Sequence, residues 1–223
     1  MKTLNYFSFF VILFTLISCD STNYKGSPYS DEKYQDGAQH IPGKVYCAYY
    51  DFGGEGIAYH DVTAENYGSG MLNKIDGSYL HSFRIGEAVD ITYTKSSDTD
   101  NSVYNFVAPP MNTPYVGWTA PNEWTKYTVF VEKSGDYAVS LLYTSNKGGK
   151  ISLSVDDKDI TGAIEIASTY VAADTVNWRQ WHHWNEAKNF AVISLKKDKQ
   201  ILTLHTVENG EMNYLWLDFK LVK

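Results

Sequence analysis

From residue 127 onward, apolar and polar residues alternate over short stretches at 127–131, 137–141, 151–155, 191–195 and 201–205. Successive side chains on a strand point to opposite faces, so a period of two in β-branched and aromatic content predicts strands with one buried face. The stretches are separated by residues 133–136, 146–149, 156–157 and 196–199, rich in Gly, Asp, Asn, Ser and Lys, which is turn chemistry. No long helical period lies between them. Short strands at this spacing predict an all-β domain, a β-sandwich of jelly-roll type. The longest irregular stretch, 95–115, contains Asp98, Asp100, Asn101, Asn105, Pro109, Pro110 and Pro114, and a loop of that length is expected to serve function. There is no internal repeat or low-complexity tract.

The N-terminus follows another pattern. Lys2 precedes an apolar stretch at 9–17 that ends in Leu16-Ile17-Ser18-Cys19. The stretch is too short for a permanent membrane helix and has the build of a secretory signal. Its last four residues resemble the bacterial lipoprotein signal, in which the cysteine is lipidated and becomes the first mature residue. Residues 1–18 are thus expected to be a signal peptide, with Cys19 the lipid anchor and sole membrane contact. That places the chain at the bacterial outer membrane or cell surface, with the periplasmic face left open. An ordinary cleaved signal would need a small-residue cleavage pattern that is not evident here. Residues 20–40 are polar and nearly free of aliphatic residues, so with Cys19 they read as a flexible tether, 19–40. The folded domain is expected over 41–223, opening with Ile41-Pro42-Gly43.

Anchoring uses one of two cysteines and leaves Cys47 without a partner, so stability must come from a hydrophobic core. The formal charge is −7, one unit more negative once Lys2 is removed. That balance disfavours nucleic acid and polyanionic glycans, which need a positive footprint, and suits neutral or cationic ligands.

The candidate chemistry is aromatic. The run Gly117-Trp118-Thr119-Ala120-Pro121-Asn122-Glu123-Trp124 is followed downstream by Trp178-Arg179-Gln180-Trp181 and by Met212-Asn213-Tyr214. A pyranose has a C–H face that stacks on an indole and hydroxyls that need planar amide or carboxylate partners, so two rings and one amide form a minimal sugar clamp. Trp118, between a glycine and Thr-Ala-Pro, and Trp178 are the ligand candidates. Trp124, Tyr127 and Trp216 sit in strand alternation and read as core; Trp181 reads as packing, and Trp184 stays open. Arg179 and Gln180 could supply planar donors at a rim. His182 and His183 are adjacent, so on a strand they face apart, and no spacing completes a ligand set; no metal or other cofactor is expected there.

The segments Ile41-Pro42-Gly43-Lys44-Val45, Tyr50-Asp51-Phe52-Gly53-Gly54-Glu55-Gly56-Ile57-Ala58-Tyr59-His60-Asp61, Val116-Gly117-Trp118 and Asn122-Glu123-Trp124-Thr125-Lys126-Tyr127 resemble a family 6 carbohydrate-binding module. Trp178-x-x-Trp181 and Met212-Asn213-x-x-Trp216 continue the resemblance in order, and it covers residues 41–223. It implies a jelly roll without catalytic activity that holds a sugar in a loop cleft between Trp118 and Trp178, hydrogen-bonded by Asn213. A fourth, polar position of that cleft falls at His60 or its neighbour Asp61, and a histidine in place of a carboxylate would alter hydroxyl recognition. Where many members carry structural calcium on three carboxylates, this chain has Tyr46, Ala48 and Leu215, so the resemblance implies an emptied calcium site. Asp51, Glu211 and Asp218 are the acids left nearby in sequence.

Two other classes compete. A glycoside hydrolase could use carboxylates such as Glu55, Asp61, Glu123 or Glu186, but no nucleophile elbow, zinc helix or phosphate loop is present. A structural or adhesive surface lipoprotein could use the same exposed aromatics against a protein. The expectation is non-catalytic binding of a neutral polysaccharide or oligosaccharide at micromolar to millimolar strength. Possible partners are polysaccharide-degrading enzymes or a surface complex.

Overall fold

The computed structural model describes residues 23–31, 33 and 36–222; the expected signal peptide and Cys19 lie outside the described residues. The strands are β1 (Gln39–Ile41), β2 (Gly43–Tyr46), β3 (Tyr59–His60), β4 (Ile91–Tyr93), β5 (Pro114–Val116), β6 (Trp124–Val131) and β7 (Gly135–Ser145). They continue with β8 (Gly149–Val155), β9 (Lys158–Asp159), β10 (Ile164–Ile166), β11 (Asn185–Leu195), β12 (Asp198–Glu208) and β13 (Met212–Leu221). All five stretches of alternation fall inside strands, in β6, β7, β8, β11 and β12. One sheet runs β1-β6-β12-β8-β10, with β3 on β6 and β9 on β8; the other runs β11-β7-β13-β5-β4, with β2 on β13. The long strands β6, β7 and β8, and again β11, β12 and β13, alternate between the sheets, which is how a jelly roll wraps one core. The expected all-β sandwich is the observed fold.

The inner faces meet in a core that includes Val45, Tyr127, Val129, Leu141, Leu153, Leu204, Leu217 and Phe219. Cys47 is fully buried there, and burial pushes its thiol up to about 12. The second sheet is covered on its outer face as well. Tyr115, Leu142, Trp184 and Leu215 form a separate buried cluster. A register shift between Tyr214 and Trp216 changes which residues of β13 face the main core, from Met212 and Tyr214 before it to Leu217 and Phe219 after it, and leaves both Leu215 and Trp216 at the outer cluster, as a bulge does when it re-aims successive side chains. The irregular stretch before β5 seals this cluster. Its Asp100 Oδ1 accepts from Trp184 Nε1 at 2.8 Å, and the backbone N–H groups of Phe106 and Val107 donate to Trp184 O at 2.9 and 3.0 Å. Trp184 is therefore packing.

Three expectations change. Trp124 and Trp216 are half-buried rather than core, because the inward set of β6 is Thr125, Tyr127, Val129 and Val131 and Trp124 falls on the other face. Trp216 likewise faces outward, under the Lys44 ammonium at 3.5 Å from its ring centroid. The packed body also takes in residues assigned to the tether. Ser27 pairs with Phe52, Tyr29 is only 6% exposed and stacks on Tyr49 at 5.3 Å, and Gln39 and His40 belong to β1 alongside β6. The polar average of the segment hides Tyr29, whose ring burial outweighs the flanking Ser, Gly and Asp.

The positions aligned with calcium carboxylates are engaged in packing: Ala48 in the main core, Leu215 in the outer cluster, and Tyr46 against both. Asp51 is buried and accepts from Thr128 N and Oγ1 at 2.7 and 2.6 Å.

Candidate functional site

At one end of the sandwich β5 and β7 finish and β11 and β13 begin, so the connections there crowd together. Asn213, second residue of β13, fastens two of them. Its Nδ2 donates to Thr144 Oγ1 and to Trp181 O, both at 2.8 Å, while its Oδ1 accepts from Trp118 N at 3.4 Å. The chain must pass close to this amide: a Cβ on Gly117 would stand 2.7 Å from Asn213 Oδ1, so only glycine fits without displacement. Trp118 follows with a φ of +46°, a conformation rare for a bulky side chain and most often kept where surroundings enforce it. Thr119 and Met212 enforce it, the Thr119 hydroxyl donating to Met212 O at 3.1 Å.

The second ring comes from a short 3₁₀ turn, Asn177–Trp181. Asp174 holds that turn. Its carboxylate accepts from Arg179 Nε and a terminal Arg179 nitrogen at 2.6 and 2.8 Å, lies 2.8 Å from His183 Nε2, and accepts from Val176 N at 3.0 Å. The Arg179 hydrogen bonds hold this carboxyl well below the usual carboxylate range, with the Val176 and His183 bonds adding to them. Gln180 Nε2 donates to the carbonyls of Val171 and Asp174 at 2.9 and 2.8 Å. With its neighbours tied inward, Trp178 stands out at 53% exposure, and Trp118 at 39%.

Trp118, Trp178, Trp181 and Asn213 line a single cavity of about 560 Å³, with Leu72 and Glu211 at its edge. The geometry brings together the three residues expected from the resemblance. It does not bring in the other three. Arg179 is spent on Asp174 and on Asp98, 2.8 Å away, so it braces the turn instead of lining the cleft. His60 and Asp61 line a different hollow with Glu123 and Trp124, about 20 Å³ in size, room for about one water and not for a sugar ring. His60 Nδ1 lies 2.5 Å from Glu55 Oε1, and the pairing of β3 with β6 places His60 opposite Trp124. Asn213 reaches the floor, but its donors serve the protein and only Oδ1 keeps capacity for a ligand.

Sequence reasoning missed Leu72, and it took Trp181 for packing. Trp181 is half-exposed, lines the cleft and aims Nε1 at Glu211 Oε2, 3.4 Å away. Leu72 sits in Tyr-Gly-Ser-Gly-Met-Leu, residues 67–72, whose apolar residues set among glycines without a strand or helix period were the signal available.

Acidic groups gather at the small hollow. Burial, and then the charges of Asp61 and Asp90, push the Glu123 carboxyl up to about 8. Burial likewise raises Asp90 to about 7, and raises Asp61. Of the hydrolase candidates, Asp61 and Glu123 are here, Glu55 is on His60, and Glu186 is on β11; none lines the aromatic cleft.

The two sheets form a jelly roll similar in fold to that of family 6 carbohydrate-binding modules. The chain is similar to the family 6 module of Clostridium stercorarium solved in complex with cellobiose, at 12% identity over 84% of this chain and 99% of that one, with a TM-score of 0.50. A β-1,3-glucan-binding family 6 module of Bacillus halodurans aligns at 12% identity over 82% of this chain and 98% of that one, TM-score 0.48. A family 43 arabinoxylan arabinofuranohydrolase of Bacillus subtilis aligns at 12% identity over 84% of this chain but 29% of its own, TM-score 0.48. These likenesses are of fold. No protein-family model and no curated protein matches the chain.

Proposed function

We propose that the cleft between Trp118 and Trp178 binds a neutral glycan without chemistry, in a chain exported and lipid-anchored through Cys19 that serves polysaccharide degradation. The carrying observation is that two exposed indoles on separately braced connections line one cavity of about 560 Å³. Exposed indole surface held rigidly is favourable for stacking, because little ordering entropy remains to be lost when a ligand docks. Among the described residues lining the cleft the one carboxylate is Glu211, which lies 3.0 Å from Lys147 Nζ and is thus compensated in charge, as suits a neutral ligand. The anchor and the surface location rest on the sequence around Cys19. The module of similar fold that was solved with cellobiose supports a glycan as the ligand class.

The test is affinity gel electrophoresis of the full-length chain, in a sugar-free detergent, over gels containing neutral plant, algal or fungal polysaccharides. Retardation on at least one polymer, lost in Trp118→Ala and in Trp178→Ala with unchanged far-UV circular dichroism, is the expected result. Retention kept in both variants would remove the cleft from the account.

A further inference from the structure

The apolar surface does not end at this cleft. Trp118 and Leu72 also line a neighbouring hollow of about 530 Å³, completed by Tyr67 and Met71. Both hollows fall within the roughly 300–1,000 Å³ typical of small-molecule sites, and Trp118 is their common wall.

The far side of the second hollow is a single π-helical turn, Tyr67–Leu72, fastened to β4 through its polar groups. Asn66 Oδ1 accepts from Gly68 N, Ser69 N and Ile91 N at 3.0, 2.9 and 3.2 Å. Ser69 Oγ donates to Ile91 O at 3.0 Å, and Tyr67 N donates to Asp90 Oδ1 at 2.6 Å. Gly68 lies so close to β4 that any Cβ would collide with Ile91 O. The turn therefore spends its hydrogen bonds inward and leaves Tyr67 and Met71 40% and 59% exposed. Isolated exposed apolar residues are ordinary, whereas several on one pinned turn, continuous with an aromatic cleft, mark a contact surface. None of the four lining residues is charged, so the surface offers nothing to an ionic partner. A phenol ring, a thioether and an indole suit the C–H faces of uncharged sugars.

We propose that Tyr67, Met71 and Trp118 form a second subsite, so that the protein holds a stretch of neutral polysaccharide running across Trp118 instead of one terminal sugar. This rests on the glycan reading of the first cleft. Affinity then grows with chain length beyond what the first cleft can touch, and the gain depends on the π-helical turn.

The experiment takes the polymer retained best in the gels and titrates its oligosaccharides, from two to six units, into the full-length chain by calorimetry. Tyr67→Ala and Met71→Ala are compared with wild type. Both side chains are exposed, so both variants are expected to fold, with melting temperature as the check. The expected result is a loss of about three- to tenfold for the longest oligosaccharides with the disaccharide nearly unchanged. Variants equal to wild type at every length, or weakened equally at every length, would overturn the second subsite. If disaccharide binding is still abolished by Trp118→Ala and Trp178→Ala, the first cleft survives that result. A chain that binds no glycan at all overturns both.

Discussion

Asn213 differs from the tryptophans it sits beneath. Its amide joins β7, the Trp178 turn and the Trp118 step, and it is nearly buried. Asn213→Ala removes one hydrogen bond each from Trp181 O and Thr144 Oγ1, which keep their own bond to each other at 2.6 Å, and takes the acceptor from Trp118 N; each such lost bond costs about 0.5–1.5 kcal/mol. We expect this variant to lose melting temperature and glycan retention together, whereas Trp118→Ala and Trp178→Ala lose retention alone. Thermal melts of the three variants check this. A fully stable Asn213→Ala would show that the amide acts on ligand only. The sequence shows that a glycine precedes Trp118, but not its close approach to an amide nearly a hundred residues later, because no local pattern encodes a contact made only when β5 and β13 pair.

At the scale of elements, the aromatic cleft depends on a turn that has no core of its own. Asn177–Trp181 is held by Asp174, which engages Arg179 and His183 together. Asp174→Asn removes the charge that pairs with Arg179 and should free the turn. Faster amide exchange across residues 176–182 with weaker glycan binding is the expected outcome, and unchanged exchange would separate the turn from the network. The elements divide by how openly the sequence declares them. Strands β6, β8 and β12 alternate because one face of their sheet meets the core. β7 is buried almost continuously, since the outer cluster covers its other face, and there Leu141-Leu142-Tyr143 carries no period. The π-helical turn and Tyr29 gain their roles from tertiary packing, which neither period nor average composition reports.

For the whole molecule, the buried acids set the response to pH. Glu123 and Asp90 titrate at about 8 and about 7 in the folded protein, against an ordinary carboxyl value near 4 in the unfolded chain. The folded state therefore holds more protons between these values. Stability from these groups is complete below the unfolded value and is lost as pH rises through the folded values. Burial lowers His205 and works in the opposite sense across the histidine range, but two strongly raised acids outweigh it. Thermal melts should give a higher melting temperature at pH 5 than at pH 8, and Glu123→Gln should flatten the difference. A flat profile in the wild type would contradict the burial of these carboxyls. Glycan retention should follow that profile only weakly, because the aromatic cleft and the acid cluster are separate hollows.

The six tryptophans each carry an indole N–H that nuclear magnetic resonance can watch separately, and so report which rings meet the ligand. Titrating the retained glycan's oligosaccharides into ¹⁵N-labelled protein should move the indole signals of Trp118 and Trp178, with Trp181 following. Trp184, buried under the outer loop, and Trp216, on the outer sheet face, should stay still. Shifts confined to Trp124 and Trp216, or binding with no shift at Trp118 and Trp178, would contradict the cleft.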